Sequence, residues 1–296
     1  MNIIMDTLVR GTSMDGSIRV ISAVTTDIVN EAVRIHNTYP VATAAMGRLL
    51  TAAAIMGATF KNESDTLTLQ IKGDGPLQSI VAVGDAQSRV RGYVANPYVD
   101  RPLNEKGKLD VGGAIGQGFL TVIRDLGLKE PYIGQTPLVS GEIAEDISYY
   151  YAQSEQIPTA IGLGVLVDVD NTVIAAGGFM IQMLPGSTDE MAQKLNETLK
   201  NLPAVSKLIK DGTTAEDLFF SISEGFDMLM DNNFVVPKYE CKCSKERMEE
   251  ALVSIGEEEL NAIIEEQGEA ELTCHFCDNK YKFSKEELKN LLKRAK

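Results

Sequence analysis

Cys241-Lys242-Cys243 and Cys274-His275-Phe276-Cys277 decide how the end of this chain folds, because they hold all four of its cysteines within the last 56 of 296 residues. Two close cysteine pairs joined by a loop can form a four-thiolate cage around one tetrahedral zinc ion. A fragment of about sixty residues is marginal alone, whereas a structural zinc can contribute about 10–16 kcal/mol. We therefore expect Cys241, Cys243, Cys274 and Cys277 to bind one Zn²⁺, and we expect this part of the chain to unfold without it.

The same four sulfurs are also the atoms of this chain that oxidants attack most readily. A permanent structural zinc and a redox-sensitive zinc use the same ligands, so the spacing alone leaves both readings open. Each pair is close enough to bridge locally once oxidised. A Cys241–Cys243 bridge would close a tight, strained ring that is easily reduced again.

A thiol oxidoreductase is the main rival explanation for the Cys-x-x-Cys motif. In those enzymes the first cysteine lies at a helix N-terminus, whose dipole lowers the thiol pKa. Here residues 278–283 read as a turn and a short strand, and a helix begins only after Ser284, so the pattern favours a zinc knuckle. His275 lies between two ligands, but four cysteines already fill a tetrahedral site. His36, the other histidine, is expected to make a packing or polar contact.

The charge of the chain argues against a phosphate-rich partner. Its 28 basic and 42 acidic side chains give a net charge of −14, and residues 238–296 carry 11 basic and 14 acidic groups, a local balance of −3. Nucleic-acid binding needs a basic surface that releases counterions. We therefore expect no nucleic-acid partner, and we expect the charge to keep the protein from aggregating with itself.

Segments that would indicate a membrane or a catalytic site are missing from the pattern. Residues 1–6 do not read as a signal peptide, and Leu49–Phe60 is too short and alanine-rich for a membrane span. We expect a soluble, cytoplasmic protein. There is neither a Gly-x4-Gly-Lys-Ser/Thr loop nor a Gly-x-Ser-x-Gly elbow, so we expect no ATP-driven step and no enzyme. The glycine-rich stretch Gly112–Gly118 is expected to be a flexible loop.

Residues 1–185 are predicted to form one α/β (α+β) body with mixed or antiparallel sheets and packed helices. Hairpins are expected at Gly73–Pro76 and at Asp170-Asn171, where turn residues separate apolar runs. The predicted helices are Asp27–His36, Val41–Phe60 and Glu142–Gln153, and the predicted strands are Ser17–Thr25, Thr66–Lys72, Leu77–Val83, Arg89–Val94, Phe119–Arg124, Ala160–Val169 and Thr172–Leu184.

The chain changes character after Pro185-Gly186. Residues 187–236, called the linker segment below, are predicted to form short amphipathic helical pieces, the last of them Ala215–Met230. Short interrupted helices are weakly stable alone and depend on docking. An ordinary helical connector is one reading. A metastable segment whose phenylalanines and methionines bind other proteins when released is the other. Residues 237–296 are predicted to be a small zinc-binding domain with three short helices.

Several motifs together give the chain a close resemblance, over nearly its whole length, to the redox-regulated heat-shock holdases, the bacterial chaperonin family of the 33-kDa class. The motifs are Pro40–Arg48, Leu138–Glu142, Ala175–Phe179 followed by Pro185-Gly186, Cys241-x-Cys243 with Ser244–Arg247, and Cys274-x-x-Cys277. The paired cysteine motifs after an α/β body are the specific part.

This resemblance implies an ATP-independent chaperone that is inactive while reduced and zinc-bound. It implies that oxidants form Cys241–Cys243 and Cys274–Cys277 disulfides, expel zinc, and unfold the C-terminal domain together with the linker segment. The exposed apolar surface then captures unfolding client proteins, and the active form is a homodimer. Two alternatives remain at this stage: a zinc-ribbon adaptor or nucleic-acid-interaction module fused to a regulatory α/β domain, and an enzyme in the α/β body with purely structural zinc.

Overall fold

The computed structural model describes residues 4–294, and its contacts divide the chain into two compact units, Met1–Tyr239 and Glu240–Lys296. The first unit contains the body and the linker segment, and the second contains all four cysteines. The strands are β1 (Thr7–Ser13), β2 (Ile18–Val24), β3 (Thr66–Gly73), β4 (Ser79–Asp85), β5 (Arg89–Val94), β6 (Gly118–Asp125), β7 (Tyr132–Pro137), β8 (Thr159–Val167), β9 (Val173–Met183), β10 (Met228–Met230), β11 (Lys238–Tyr239), β12 (Glu269–Thr273) and β13 (Lys280–Ser284). The helices are α1 (Thr26–His36), α2 (Pro40–Gly57), α3 (Val111–Ile115), α4 (Ala144–Tyr150) with a π-helical turn (Tyr151–Glu155), α5 (Asp189–Lys200), α6 (Val205–Lys210), α7 (Ala215–Ile222), α8 (Lys245–Ser254), α9 (Glu257–Glu266) and α10 (Lys285–Leu292).

Two sheets form the framework of the first unit. One has the strand order β10-β1-β2-β9-β8, with all pairs antiparallel, and the other has the order β11-β5-β4-β3-β6-β7, in which only β11 and β5 are parallel. The predicted hairpins β3–β4 and β8–β9 are present. The predicted α/β (α+β) body with mixed sheets and packed helices is confirmed.

Helix α2 packs against strands of both sheets and forms the centre of the main core. Pro40 occupies its first turn, where a missing N–H costs nothing, and every residue of the helix except Pro40 and Arg48 is buried. Its small residues allow close approach: a Cβ on Gly57 would lie 2.5 Å from the Asp85 carbonyl oxygen. The helix is long and apolar enough to cross a membrane by composition, but burial on all sides is typical of a core helix.

The helices of the linker segment cover the other face of the β1-β2-β9 sheet. Leu218, Phe219 and Ile222 of α7 are fully buried against β1 and β2, and α6 packs on β8 and β9. The Thr214 hydroxyl accepts a hydrogen bond from the Asp217 N–H (3.1 Å) and caps α7. The limits 187–236 of a separately metastable linker stay a prediction.

Two predictions about elements need correction, and two strands were missed. The helix predicted over Ala215–Met230 ends at Ile222, because Gly225 takes a positive φ of 80° and the chain then extends as β10 along β1. Gly112–Gly118 is not all loop, since its first residues lie in the one-turn helix α3, capped by Asp110. Strands β1 and β7 were not predicted, because glycine and polar residues interrupt their apolar pattern.

The second unit is a β12–β13 hairpin packed with three helices around a small core. Its fully or nearly fully buried apolar side chains are Leu252, Leu260, Ile264, Phe283, Leu288 and Leu291. Ser244 caps α8, and Ser284 with Glu287 forms the predicted capping box of α10. A core of this size supplies little stability by itself.

Candidate metal centre

The four cysteines come from two separate stretches of the second unit. Cys241 and Cys243 lie in the extended chain just before α8, whereas Cys274 directly follows β12 and Cys277 lies in the turn that leads to β13. That turn is closed by the backbone: the Cys274 N–H donates to Asn279 O (2.9 Å) and the Asp278 N–H donates to Cys274 O (2.9 Å). Asp278 takes a positive φ of 57°, as the tight turn requires.

All four sulfur atoms converge on one point. The Sγ atoms of Cys241 and Cys274 are 3.6 Å apart, those of Cys243 and Cys277 are 3.3 Å apart, and all four lie within 4.8 Å of one another. A regular tetrahedron with metal–sulfur bonds of about 2.3 Å has sulfur–sulfur edges of about 3.8 Å. No disulfide joins these four cysteines. The donor set and its geometry therefore fit a single tetrahedral ion, and four sulfurs favour zinc or another thiophilic metal over calcium or magnesium.

Contacts around the cluster fix the backbone of the first cysteine pair and join α8 to α10. The Arg247 guanidinium donates to Lys242 O (2.8 Å), so α8 supports the backbone between Cys241 and Cys243. The Lys245 ammonium pairs with Glu287 of α10 at 2.5 Å. Cys274 is only 5% exposed, whereas the other three cysteines are partly exposed. Three of the four cysteine side chains are thus partly accessible to solvent.

Tyr281 is a site residue that sequence analysis missed. Its hydroxyl lies 3.1 Å from the Cys243 Sγ and is the donor whenever that sulfur is a thiolate. Burial raises the pKa of the Cys243 thiol, but hydrogen bonds, from Tyr281 first and Cys277 next, outweigh this and bring that pKa down to about 7. Burial raises the pKa of Cys241 to about 11. The sequence did contain a signal for this contact: Tyr281 is an aromatic residue four positions after Cys277, on the strand that follows the knuckle.

His36 lies on a helix, as predicted, and His275 lies between two cysteines of the cluster. His275 is exposed, and the cluster of ligating side chains comprises the four cysteines without it. His36 lies on α1, and its Nε2 is 3.2 Å from the hydroxyl of Tyr239, so the expected polar contact is confirmed.

Comparison with known proteins gives one consistent family. Residues 6–284 match the family model described as "Hsp33 protein". The chain is 47% identical to the 33 kDa chaperonin of Clostridium beijerinckii over 98% of this chain and 99% of that protein. It is 50% identical to the 33 kDa chaperonin of Clostridium botulinum, with 97% of each chain covered. The solved structure of the 33 kDa chaperonin (heat shock protein 33 homolog) of Thermotoga maritima superposes with a TM-score of 0.88 at 42% identity, covering 98% of both chains.

Proposed function

Because the chain belongs to the Hsp33 family and is therefore a chaperone, we propose that it is a redox-regulated, ATP-independent holdase whose switch is the Cys241–Cys277 cluster. The observation that carries this proposal is the convergence of four sulfurs in a unit with a very small core. A structural zinc contributes about 10–16 kcal/mol, whereas an average domain is stable by about 5–15 kcal/mol. Loss of the metal would therefore remove more free energy than the folding of this small unit supplies, and the unit would unfold.

In the reduced form, Cys241, Cys243, Cys274 and Cys277 hold one Zn²⁺ as thiolates, and the protein does not bind clients. Two equivalents of peroxide, with four protons from solvent, take four electrons from the four thiolates and give two disulfides and four water molecules. The ligands are then lost, the second unit unfolds, and the linker segment loosens. Apolar surface of α5–α7 and of the sheet beneath them becomes available to unfolding proteins. We place this activity in the cytoplasm, by binding rather than by catalysis, with a homodimer as the active form.

The disulfide pairing Cys241–Cys243 and Cys274–Cys277 is proposed from the resemblance to the family. In the cluster, sulfur–sulfur distances of 3.6 and 3.3 Å join the two motifs, and all four sulfurs lie within 4.8 Å of one another, so proximity alone does not select the pairing. Peptide mapping after brief and after complete oxidation identifies the pairing, and bridges between the motifs at completion would contradict it.

The central test is light scattering from a heat-unfolding client protein without ATP. We expect the peroxide-treated, zinc-free protein to suppress aggregation and the reduced, zinc-bound protein to have little effect. A Cys241→Ser/Cys243→Ser double variant separates the metal from the disulfides: it loses tight zinc binding, so we expect suppression without peroxide. Equal behaviour of oxidised and reduced protein, with zinc retained after peroxide, would make the cluster a permanent structural site.

A further inference from the structure

The outer edge of β1 is covered by a short stretch of the linker segment, Asp227–Val235, called the covering segment below. Within it, β10 pairs antiparallel with β1 from Gly11↔Met230 to Ser13↔Met228. The ladder continues on both sides of β10. The Met14 N–H donates to Asp227 O (2.8 Å), the Asp231 N–H donates to Arg10 O (2.8 Å), and Leu8 and Val235 exchange two hydrogen bonds of 2.8 and 3.1 Å.

No side chain of the covering segment is fully buried: six are exposed, and Met228, Met230 and Val235 are partly buried against the core. Its strand is three residues long, and Leu229 and Phe234 are 56% and 53% exposed. Between the Arg10–Asp231 and Leu8–Val235 contacts, β1 advances by two residues and the covering segment by four, so the ladder is interrupted. The Arg10–Asp231 ion pair at 2.8 Å, which joins this segment to β1, is half exposed, and such pairs contribute about 0–1 kcal/mol.

Strand β1 itself is firmly held from its other side. Six residue pairs, from Thr7↔Val24 to Thr12↔Arg19, join it to β2. The side chains of Leu8 and Val9 are 0% and 1% exposed. Departure of the covering segment would therefore leave β1 in the sheet as a new edge strand. An edge strand of this kind presents a row of unpaired N–H and C=O groups, which is a template for another extended chain.

The exposed edge would pair with many sequences, because it offers backbone groups. The side chains beside it, however, carry positive charge. Gly11 lies at the centre of the edge. A Cβ at this position would be only 2.3 Å from the Leu229 carbonyl oxygen, so an added strand contacts backbone here rather than a side chain. Arg10, Arg19 and Lys61 line a depression of about 320 Å³ beside the edge, and Asp231 is the acidic group in its lining. Without Asp231, these three cations would favour an acidic residue at the corresponding position of the incoming strand.

We propose that the β1 edge binds client polypeptides by strand addition once the covering segment has left it. The inference rests on the proposed function, because release of the linker segment is what exposes the edge. Backbone hydrogen bonds are common to all polypeptides, so strand addition suits a chaperone that captures many unfolding proteins. The preferred client segment is extended and carries an acidic side chain opposite Arg10.

The probe is a fluorescent peptide with the sequence of the covering segment, Asp-Met-Leu-Met-Asp-Asn-Asn-Phe-Val. Fluorescence anisotropy should show at least tenfold tighter binding to the full-length oxidised protein than to the reduced, zinc-bound protein. N-methylation at the position of Asp231 removes the donor to Arg10 O, and we expect it to weaken binding at least tenfold. N-methylation at Met230 is the matched control, because amides alternate in direction along a strand and this one points away from β1.

The same peptides then compete with a client in the light-scattering assay. The unmodified and the Met230-methylated peptides should restore client aggregation, and the Asp231-methylated peptide should not. Amide hydrogen exchange at Leu8 and Met14 should be fast in the oxidised protein and slow again with client bound, while Val9, which faces β2, stays slow throughout.

Two results would overturn the inference alone: suppression of aggregation that no peptide relieves, or Leu8 and Met14 amides that stay protected after oxidation. Protection that depends on protein concentration would show that a second copy of the chain occupies the edge instead of a client. Failure of the oxidised protein to suppress aggregation would refute the proposed function and, with it, this inference.

Discussion

The candidate metal centre consists of four sulfur atoms and the groups that contact them. The spacing of the cysteines predicted each pair of ligands. The position at which the four sulfurs converge is set by the hairpin β12–β13 and the start of α8. The hydroxyl of Tyr281 adds a hydrogen bond to Cys243 that no cysteine pattern indicates. Such a partner holds a ligand in place and adjusts the charge on its sulfur.

A Tyr281→Phe variant tests that hydrogen bond. Loss of a partner behind a metal ligand typically costs 10–100-fold in metal affinity, and we expect about tenfold here. The Cys243 sulfur also becomes more nucleophilic without a donor, so peroxide should release zinc faster. Competition with a chelating dye measures the affinity, and Tyr132→Phe on the exposed strand β7 is the control. Unchanged affinity and release rate would assign Tyr281 to packing alone.

The secondary-structure elements differ in how far they depend on their surroundings. Helix α2 is stabilised by burial on all sides, whereas α5, α6 and α7 have 12, 6 and 8 residues and are too short to persist alone. Their stability comes from docking on the β1-β2-β9 sheet. Helix α1 shows a third case, because its first turn is capped from a distance by a buried carboxylate.

That carboxylate, Asp6, gives a prediction about pH. Its two oxygens accept hydrogen bonds from the Asp27 and Ile28 N–H groups at 3.0 and 2.9 Å. Burial outweighs these bonds and raises the Asp6 pKa from 3.8 to about 7. A raised folded pKa means that the folded state binds a proton more tightly than the unfolded state, so Asp6 stabilises the fold less as the pH rises from about 4 to 7.

An Asp6→Asn variant isolates this effect, because its amide does not titrate. Relative to the variant, the wild type should lose a few kcal/mol of unfolding free energy between pH 4.5 and 7.5. Denaturant unfolding of both proteins measures the difference, in which the pH dependence of metal binding cancels. A constant difference across this range would mean that Asp6 is ionised throughout.

At the scale of the whole molecule, the chain combines a large, well-packed unit with a small unit that carries the four-cysteine cluster. The first has an extensive core around α2, whereas the core cluster found among the described residues of the second consists of six buried apolar side chains. Since the two units differ so much in core size, we expect stress to unfold them separately.

Metal removal should therefore be followed by proteolysis in a fixed order. After chelation under reducing conditions, protease should first cut within residues 240–296, then within the linker segment, and last in the body. Mass spectrometry of the early fragments identifies the sites, and the zinc-loaded protein is the control. Early cleavage in the body, with the second unit intact, would contradict local unfolding as the mechanism.

The sequence was sufficient to predict features that depend on interactions between residues close together in the chain. The cysteine spacing, the Ser284–Glu287 capping box and the Gly73–Pro76 hairpin act within a few residues, so their patterns predicted the cysteine cluster and much of the fold. Tertiary structure decided what depends on distant partners. Met228–Met230 is a strand because the β1 edge offers it hydrogen bonds, β1 is a strand although Gly11 interrupts its apolar pattern, and Tyr281 reaches Cys243 because the hairpin brings them together. A sequence pattern records which side chains are apolar, but not which backbone edge or sulfur lies opposite them in the folded chain.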